Sequence, residues 1–311
     1  MNKKLLLLIF ILLIGQAKVK AQTATDDLLM KKYEFCFAVL RDKGKWDQYW
    51  EGTYLRGNAN IGTFSRVMVM PMMTFGITNK LNLILATPYV KTESDGGQLA
   101  GVKGFQDLNV ALKYEVLKKQ LGKGKLQLLT SGGFSTPMTN YLSDYMPYSL
   151  GLGTNEYFLR AIAHYQLDKG IYGRIMGGYL WRTRTQVERD YYYNNGSYYT
   201  RYMDVPNAFQ FQATVGSWFF KHALKVETIY SNFKCLSGDD IRAYNAPQPT
   251  NKVEVEQLSV FAQYFFKQYV KGLGVLGSWS QMINGRNMGK FINIGFGVSY
   301  QFSAKKESKT E

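Results

Sequence analysis

Large apolar residues alternate with polar or small residues near the C-terminal end of the chain. From Ile292 to Phe302 every second residue is large and apolar, and the residues between them are Asn, Gly, Ser or Gln. Because successive side chains of a β-strand point to opposite faces, this pattern predicts a strand with one apolar and one polar face. In a soluble β-sandwich the apolar face would point into the protein interior, and in a membrane β-barrel it would contact lipid. One strand does not decide between these two folds.

The same alternation recurs clearly in five further segments, and six less regular segments also fit strands. Together they predict twelve strands of about 9–13 residues each. Strands of soluble proteins usually have about 5–6 residues, whereas a tilted membrane strand has about 9–11. The predicted strands therefore have the length of membrane strands. They cover residues 33–40, 62–75, 81–91, 105–117, 125–136, 157–167, 171–184, 208–220, 223–234, 257–266, 272–282 and 292–302.

The connections between the predicted strands alternate in length. The short ones are Gly76–Lys80, Lys118–Gly124, Asp168–Gly170, Lys221–His222 and Lys267–Lys271, and the long ones are 92–104, 137–153, 185–207 and 235–252. Outer-membrane barrels combine tight periplasmic turns with long external loops. The sequence therefore predicts an all-β fold, a closed antiparallel up-and-down transmembrane β-barrel of about 12 strands. A secreted β-sandwich is the alternative.

The N-terminal residues have the pattern of a secretory signal peptide. Lys3 and Lys4 precede an apolar run from Leu5 to Ile14, which is shorter than the about 20 residues that span a bilayer. Val19-Lys20-Ala21 places small residues where cleavage before Gln22 requires them, and an uncleaved anchor is the alternative. The expected organisation is a signal peptide (1–21), a periplasmic N-terminal segment (22–32), an outer-membrane barrel (33–302) and a polar periplasmic tail (303–311).

Composition excludes several classes of protein and indicates a location. With 46% hydrophobic and 20% charged residues, the chain is neither collagen-like nor disordered. The formal net charge is +15, and the anionic lipopolysaccharide of the external leaflet explains this surplus better than nucleic acid, which a secreted barrel does not meet. We expect the outer membrane of a Gram-negative bacterium, with its lipid, its lipopolysaccharide and its barrel-insertion machinery as partners.

Several segments resemble those of one outer-membrane family. They are Gly104-Phe105-Gln106-Asp107-Leu108 leading into Leu112-Lys113-Tyr114, Gly151-Leu152-Gly153-Thr154, Leu167-Asp168-Lys169-Gly170 and Gly178-Tyr179-Leu180-Trp181-Arg182. Over roughly residues 60–302 the chain is similar to the family named for a MetA pathway of phenol degradation. The resemblance implies an outer-membrane barrel that passes small, often aromatic, compounds. The aromatic alternation that ends at Phe302 also resembles the signal read by the insertion machinery.

Charged residues fall on the face that the barrel would turn toward its lumen. The candidates for lumen lining are Arg66, Asp107, Lys113, Glu115, Arg160, His164, Arg174, Arg182, Lys225 and Glu227, and Glu156 and Arg184 fall on the same face. An excess of positive charge would favour anions in a pore. In the alternative, these charges pair across strands and fill a narrow interior.

The predicted second and third strands are apolar on both faces. Residues 67–75 and 81–90 would give the lumen a wall suited to a hydrophobic permeant. In the alternative, the segment from Thr23 to Met30 folds into the barrel and covers this wall. The methionines of this region, Met68, Met70, Met72 and Met73, are read as packing residues rather than as ligands of a soft metal.

The connection 185–207 is rich in tyrosine, which provides rigid contact area for binding. An external binding surface for a sugar, a phage or a partner would include Tyr191, Tyr192, Tyr193, Tyr198 and Tyr199. In the alternative, this loop packs on itself and closes the mouth of the barrel.

Catalytic and metal-binding patterns are weak. The chain has two His, His164 and His222, and two Cys, Cys36 and Cys235, none at the spacing of a zinc site or a catalytic triad. A Cys36–Cys235 disulfide is left open. We expect no cofactor, no metal and no enzymatic activity, and interpret the chain as a passive porin-like channel for small solutes that are hydrophobic, aromatic or anionic. The alternatives are a non-conducting barrel with binding loops and a barrel hydrolase.

Overall fold

The computed structural model describes residues 23–243, 245–266 and 270–304, and the regular elements in these ranges are β-strands. Within the described ranges, no helix is long and apolar enough to cross a membrane. The predicted signal peptide and residues 305–311 of the predicted tail lie outside the described residues.

The described strands form one large closed sheet and three small hairpin-like sheets. In chain order they are β1 (Glu34–Trp46), β2 (Gln48–Glu51), β3 (Tyr54–Gly57), β4 (Phe64–Gly76), β5 (Leu81–Ala86), β6 (Tyr89–Ser94), β7 (Lys103–Phe105), β8 (Asp107–Leu121), β9 (Gly124–Pro137), β10 (Glu156–Leu167), β11 (Ile171–Arg182), β12 (Arg184–Gln186), β13 (Tyr192–Tyr193), β14 (Ser197–Tyr198), β15 (Tyr202–Asp204), β16 (Ala208–Phe219), β17 (Leu224–Cys235), β18 (Glu254–Phe265), β19 (Leu273–Arg286) and β20 (Ile292–Ser303).

The large sheet is a closed antiparallel barrel of twelve strand positions. It closes because β1 pairs with β20 on one side and with β4 on the other. Two of the twelve positions are each formed by two strands in succession. One consists of β5 and β6, which both pair with β4, and the other consists of β7 and β8, which Gln106 separates. The break between β5 and β6 falls at Pro88, whose ring nitrogen cannot donate to the ladder. The predicted fold class and strand number are confirmed.

The two ends of the barrel differ in the length of their connections. The short-turn end has the connections 77–80, 122–123, 168–170, 220–223 and 266–272. The long-loop end has 47–63, 95–102, 138–155, 183–207, 236–253 and the short 287–291. The small sheets lie at the long-loop end: β2 pairs with β3, β12 with β15, and β13 with β14.

Some strands extend beyond their predicted ends at the long-loop end. β1 was expected to end at residue 40 and continues to Trp46, and β19 was expected to end at 282 and continues to Arg286. The extension of β1 contains Arg41, Asp42, Lys43 and Lys45. Charged residues therefore stand at the outward positions where the alternation would need apolar ones. The ladder continues there because the backbone still pairs with β4 and β20, which the pattern of side chains does not reveal.

The apolar face of the barrel points outward. On β20, Phe296 is 66% exposed and Val298 is 51% exposed, whereas Ser299 between Val298 and Tyr300 is buried. On β8, Leu112 is exposed and its neighbour Lys113 is fully buried inside the barrel. A sandwich would bury the apolar residues and expose the polar ones, so this arrangement excludes the sandwich alternative.

Candidate functional site: the lumen and the segment inside it

The segment before β1 enters the barrel from its short-turn end. The Met30 backbone exchanges two hydrogen bonds with the Asn82 side chain, at 3.2 and 3.0 Å. Ser131 Oγ donates to the Ala24 carbonyl oxygen at 2.9 Å. We call residues 23–30 the N-terminal plug. The sequence placed this segment in the periplasm; the alternative, in which residues 23–30 fold inside the barrel, describes the structure.

The residues that join the plug to β1 pass the end of β4 at a position that requires glycine. Tyr33 N–H donates to the Gly76 carbonyl oxygen at 2.8 Å, and a side chain at Gly76 would collide with the carbonyl group of Lys31. Asn79 and Glu34 accept hydrogen bonds from the backbone N–H groups of Lys32 and Lys31. These contacts direct the chain from the short-turn rim into the lumen.

Two plug carboxylates meet three barrel cations in what we call the ionic layer. Asp26 Oδ1 lies 2.6 Å from Lys113 Nζ. Asp27 Oδ1 lies 2.7 Å from a guanidinium nitrogen of Arg174 and 3.3 Å from Lys225 Nζ. All five residues are buried. Since an unpaired buried charge costs several kcal/mol, these pairs hold the plug against the barrel wall.

Further barrel side chains complete the ionic layer. Glu227 accepts hydrogen bonds from Arg174 at 2.8 Å and from Tyr172 Oη at 2.9 Å. Glu115 accepts one from Gln127 at 2.7 Å. His164 Nε2 lies 3.7 Å from Asp27 Oδ2, and its ring packs on that of Tyr172. The layer is a network between strands and plug in which most charges have an opposite charge in contact.

An apolar belt extends from the plug toward the long-loop end. Eight of the nine consecutive strand positions from β1 round to β17, all except β9, each contribute one buried residue to it: Ala38, Met72, Ile84, Ala111, Phe158, Leu180, Ala208 and Cys235. Ala24 of the plug packs against the belt, as do Phe233 and Val253. The plug therefore packs against an apolar belt to which the second and third barrel strands contribute Met72 and Ile84.

A cavity of about 790 Å³ occupies the lumen at the long-loop end. Trp46, Phe64 and Phe291 form an aromatic wall, with the ring centroids of Trp46 and Phe64 5.2 Å apart. Two lumen arginines, Arg66 and Arg182, also line the cavity. We call this space the vestibule, and its mixture of rings and guanidinium groups suits small solutes that carry polar groups.

The vestibule arginines are held by polar neighbours. Arg182 Nε donates to Glu156 at 2.7 Å, and its guanidinium group lies over the ring of Phe233. Arg66 donates to Gln106 at 2.8 Å. Deeper in the lumen, the Arg160 guanidinium lies 3.8 Å from the ring centroid of Phe158.

The structure places most predicted lumen residues inside the barrel. Six of them belong to the ionic layer: Lys113, Glu115, His164, Arg174, Lys225 and Glu227. Arg66 and Arg182 line the vestibule, Arg160 lies by the belt, and Asp107 accepts a hydrogen bond from Tyr141 Oη at 2.6 Å. Their role as a pore lining stays a prediction.

Two details of the predicted lumen are wrong. Arg184 lies on β12 in a loop, exposed and 2.6 Å from Asp204, because the strand ends at Arg182 before the alternation does. The expected excess of positive charge is also wrong, because the plug adds Asp26 and Asp27, and β1 adds Asp42 on its inward face. With the plug in place, cations no longer outnumber carboxylates in the lumen.

The tyrosine-rich connection is part buried and part exposed. Tyr192 is buried with Val187 and Met203, and its ring stacks on Tyr198 at 5.1 Å. Tyr199 is 84% exposed. Of the five predicted binding tyrosines, Tyr191, Tyr198 and Tyr199 are exposed, Tyr192 is buried and Tyr193 is intermediate. The loop therefore packs partly on itself, and the role of its exposed tyrosines in binding stays a prediction.

Residues of the connection 236–253 line the vestibule and contact the tyrosine loop. Gln248 Nε2 donates to the Tyr193 carbonyl oxygen at 2.6 Å. Asp240 accepts two hydrogen bonds of 2.7 Å from Arg286. These bonds, with one from Asn287, hold the pKa of the Asp240 carboxyl below its usual range despite partial burial.

The two cysteines lie in different packing clusters and form no disulfide with each other. Cys36 packs with Met30, and Cys235 belongs to the apolar belt. Among the described residues, no group of three or more His, Cys, Asp or Glu side chains is arranged to hold a metal ion. Met72 packs in the apolar belt.

The closed twelve-stranded barrel is the fold of bacterial outer-membrane channels. It is similar to the COG4313 outer membrane channel from Pseudomonas putida F1, with a TM-score of 0.70, 12% sequence identity, and coverage of 92% of this chain and 100% of that chain. At this identity the likeness establishes the fold.

Other outer-membrane barrels resemble the chain less. The translocator domain of the autotransporter NalP from Neisseria meningitidis has a TM-score of 0.43 and 10% identity over 86% of this chain and 87% of that chain. OccK7 (OpdD) from Pseudomonas aeruginosa has a TM-score of 0.40 and 9% identity over 88% of this chain and 99% of that chain. Neither likeness is close enough to carry an argument. No protein-family profile matches the sequence, and no curated protein matches it either.

Proposed function

We propose that this protein is a passive channel for small solutes in the outer membrane of a Gram-negative bacterium, and that its N-terminal plug closes the lumen. The observation that carries the proposal is a lumen with a vestibule of about 790 Å³ at the long-loop end and, nearer the short-turn end, a plug held by hydrogen bonds and ion pairs. Contacts of this kind break and re-form without covalent change, so the plug can act as a gate.

The same proposal implies which molecules contact the outside of the barrel. The exposed apolar face contacts membrane lipid, and the exposed cationic side chains of the long-loop end contact the anionic groups of lipopolysaccharide. The aromatic alternation of β20, ending at Phe302, is the segment that the barrel-insertion machinery recognises. The chain performs no catalysis, and His164 serves to contact Asp27 of the plug.

Replacing both plug carboxylates tests the channel function. In the D26N/D27N variant the ion pairs with Lys113, Arg174 and Lys225 are lost. The plug then leaves the lumen more often, because hydrogen bonds to charged groups each contribute about 1.5–3 kcal/mol. We expect the time-averaged current through single channels in planar bilayers to be at least about fivefold higher than for the wild type. Solute uptake by liposomes is expected to rise by the same factor.

A matched variant controls for the change in net charge. D190N/D204N makes the same two substitutions in exposed loop ion pairs, and we expect it to conduct as the wild type does. If neither the wild type nor D26N/D27N conducts ions or admits solutes, the channel function is wrong.

The exposed part of the tyrosine loop supports a second function, a non-conducting barrel that binds a ligand outside the cell. Tyr191 and Tyr199 are both exposed, and their ring centroids lie 5.2 Å apart. Adjacent exposed rings are a surface on which a sugar ring or a protein partner can pack. Absence of conductance together with loss of ligand binding in Y191A/Y199A would favour this function.

A further inference from the structure

The ionic layer has the properties of an anion-binding site whose present occupant is the plug. Its three cations come from three different strands, with Lys113 on β8, Arg174 on β11 and Lys225 on β17. Each is at least nine-tenths buried. Cations are placed this deep in a protein only where anions accompany them, because the cost of removing them from water is large.

Lys113 depends on the plug for its hydrogen bonds. Its ammonium group donates to Asp26 at 2.6 Å and to the carbonyl oxygens of Thr23 and Leu28 at 2.9 and 3.0 Å. All three acceptors belong to the plug. When the plug leaves, this ammonium group faces the lumen with its three donors open, so an anion that enters gains a strong partner.

The second half of the layer offers a fixed pair of cations. Arg174 and Lys225 each contact both Asp27 and Glu227. Glu227 belongs to the barrel and stays when the plug leaves, so it keeps both cations in position. The place of the Asp27 carboxylate then becomes open between a guanidinium and an ammonium group, which is a geometry that binds a carboxylate well.

The charge around the three cations also changes when the plug leaves. With the plug in place, Lys113, Arg174 and Lys225 face the three carboxylates of Asp26, Asp27 and Glu227. Without it, the three cations face the single carboxylate of Glu227. An open channel therefore attracts anions at this level, whereas the closed one does not.

We propose that the ionic layer is a binding site for a small solute that carries two carboxylate groups, and that Asp26 and Asp27 imitate this solute. Lys113 binds one carboxylate, and Arg174 and Lys225 bind the other. The plug is then a tethered competitor, with an effective concentration on the order of mM for a short flexible link. This inference rests on the proposed channel function, since the solute reaches the site through the lumen.

Block of ionic current by succinate tests the site. In planar bilayers in KCl, succinate added to D26N/D27N is expected to reduce the current at a concentration at least about tenfold lower than for the wild type. Butyrate, with one carboxylate and the same chain length, is expected to block at least about tenfold more weakly than succinate. D190N/D204N is expected to respond as the wild type does.

Adding a third substitution tests whether succinate blocks the current by binding in the ionic layer. In K113M/D26N/D27N, succinate is expected to lose its advantage over butyrate, because one of the two carboxylate partners is gone. Correct folding of each variant is checked in gels, where the folded barrel in an unboiled sample migrates faster than the unfolded chain in a boiled one. Equal block by succinate and butyrate in D26N/D27N, or an unchanged preference in the triple variant, would overturn the proposed site.

A measurement without current separates this inference from the channel function. Succinate is expected to raise the thermal unfolding temperature of detergent-solubilised D26N/D27N and to leave that of K113M/D26N/D27N unchanged. If the shift occurs but no variant conducts, the site is real and the channel function is wrong. If the variants conduct and succinate produces neither shift nor selective block, the channel function stands and the dicarboxylate site is wrong.

Discussion

Arg174→Met is expected to lower the free energy of unfolding by about 3 kcal/mol. The guanidinium group of Arg174 contacts Asp27 and Glu227 at 2.7 and 2.8 Å, and all three residues are buried. Removing it leaves two buried carboxylates that share the single ammonium group of Lys225. The effect is at the lower end of the range for a broken buried pair, because Lys225 remains and because the plug can carry Asp27 into water.

Denaturant titration of the barrel in phospholipid vesicles, followed by tryptophan fluorescence, measures this loss. Arg184→Met is the matched control: Arg184 also pairs with an aspartate, at 2.6 Å from Asp204, but both side chains are exposed. We expect the control to change stability by less than about 1 kcal/mol. Equal stability of Arg174→Met and the wild type would show that the ionic layer does not hold the structure together.

Val298→Arg is expected to destabilise the barrel in vesicles by about 2–4 kcal/mol, the cost of a cation at the middle of a lipid-facing strand. Val298 lies in the middle of β20 and is 51% exposed on the outer face. If water surrounded that face, an arginine there would be well solvated and nearly without effect. The size of the loss therefore measures which solvent covers the outer face.

Leu121→Arg is the matched control for depth in the membrane. Leu121 is also exposed, but it is the last residue of β8 and lies at the short-turn rim. Near the interface the same substitution costs only about 0–1 kcal/mol. Equal losses at the two positions, or no loss at Val298, would contradict a lipid-facing outer surface.

The alternation of side chains predicts the barrel together with the strand lengths and the alternating lengths of the connections. Six strands alternate clearly, and the other six are less regular, two of them apolar on both faces. Where the alternation is clear it gives the direction of the faces, because lipid outside and a polar lumen inside impose a period of two over about ten residues. It was less accurate at the long-loop rim, where β1 continues through Arg41, Asp42 and Lys43. Beyond the membrane both faces meet water, so the alternation no longer marks the end of a strand.

The candidate site could be predicted only in part. The register identifies the charged strand residues of the ionic layer and His164, but not its uncharged members Tyr172 and Gln127. Asp26 and Asp27 lie in a segment without periodicity and are not assigned to the site from the sequence. One signal was available: several cations on the inward face of a narrow barrel need partners, and paired aspartates precede the first strand. Charge balance, rather than periodicity, identifies such a segment.

A reversible covalent lock tests whether the N-terminal plug gates the proposed channel. Ser131 Oγ donates to the Ala24 carbonyl oxygen at 2.9 Å, which brings the plug next to β9, and A24C/S131C is designed to join them by a disulfide that non-reducing mass spectrometry verifies. The variant is made with D26N/D27N and with C36S/C235S, so that only the new cysteines react. Single-channel current is recorded from one membrane under oxidising and then reducing conditions. We predict a closed channel when the disulfide is formed and an open one after reduction; a current that is the same in both states would contradict the account.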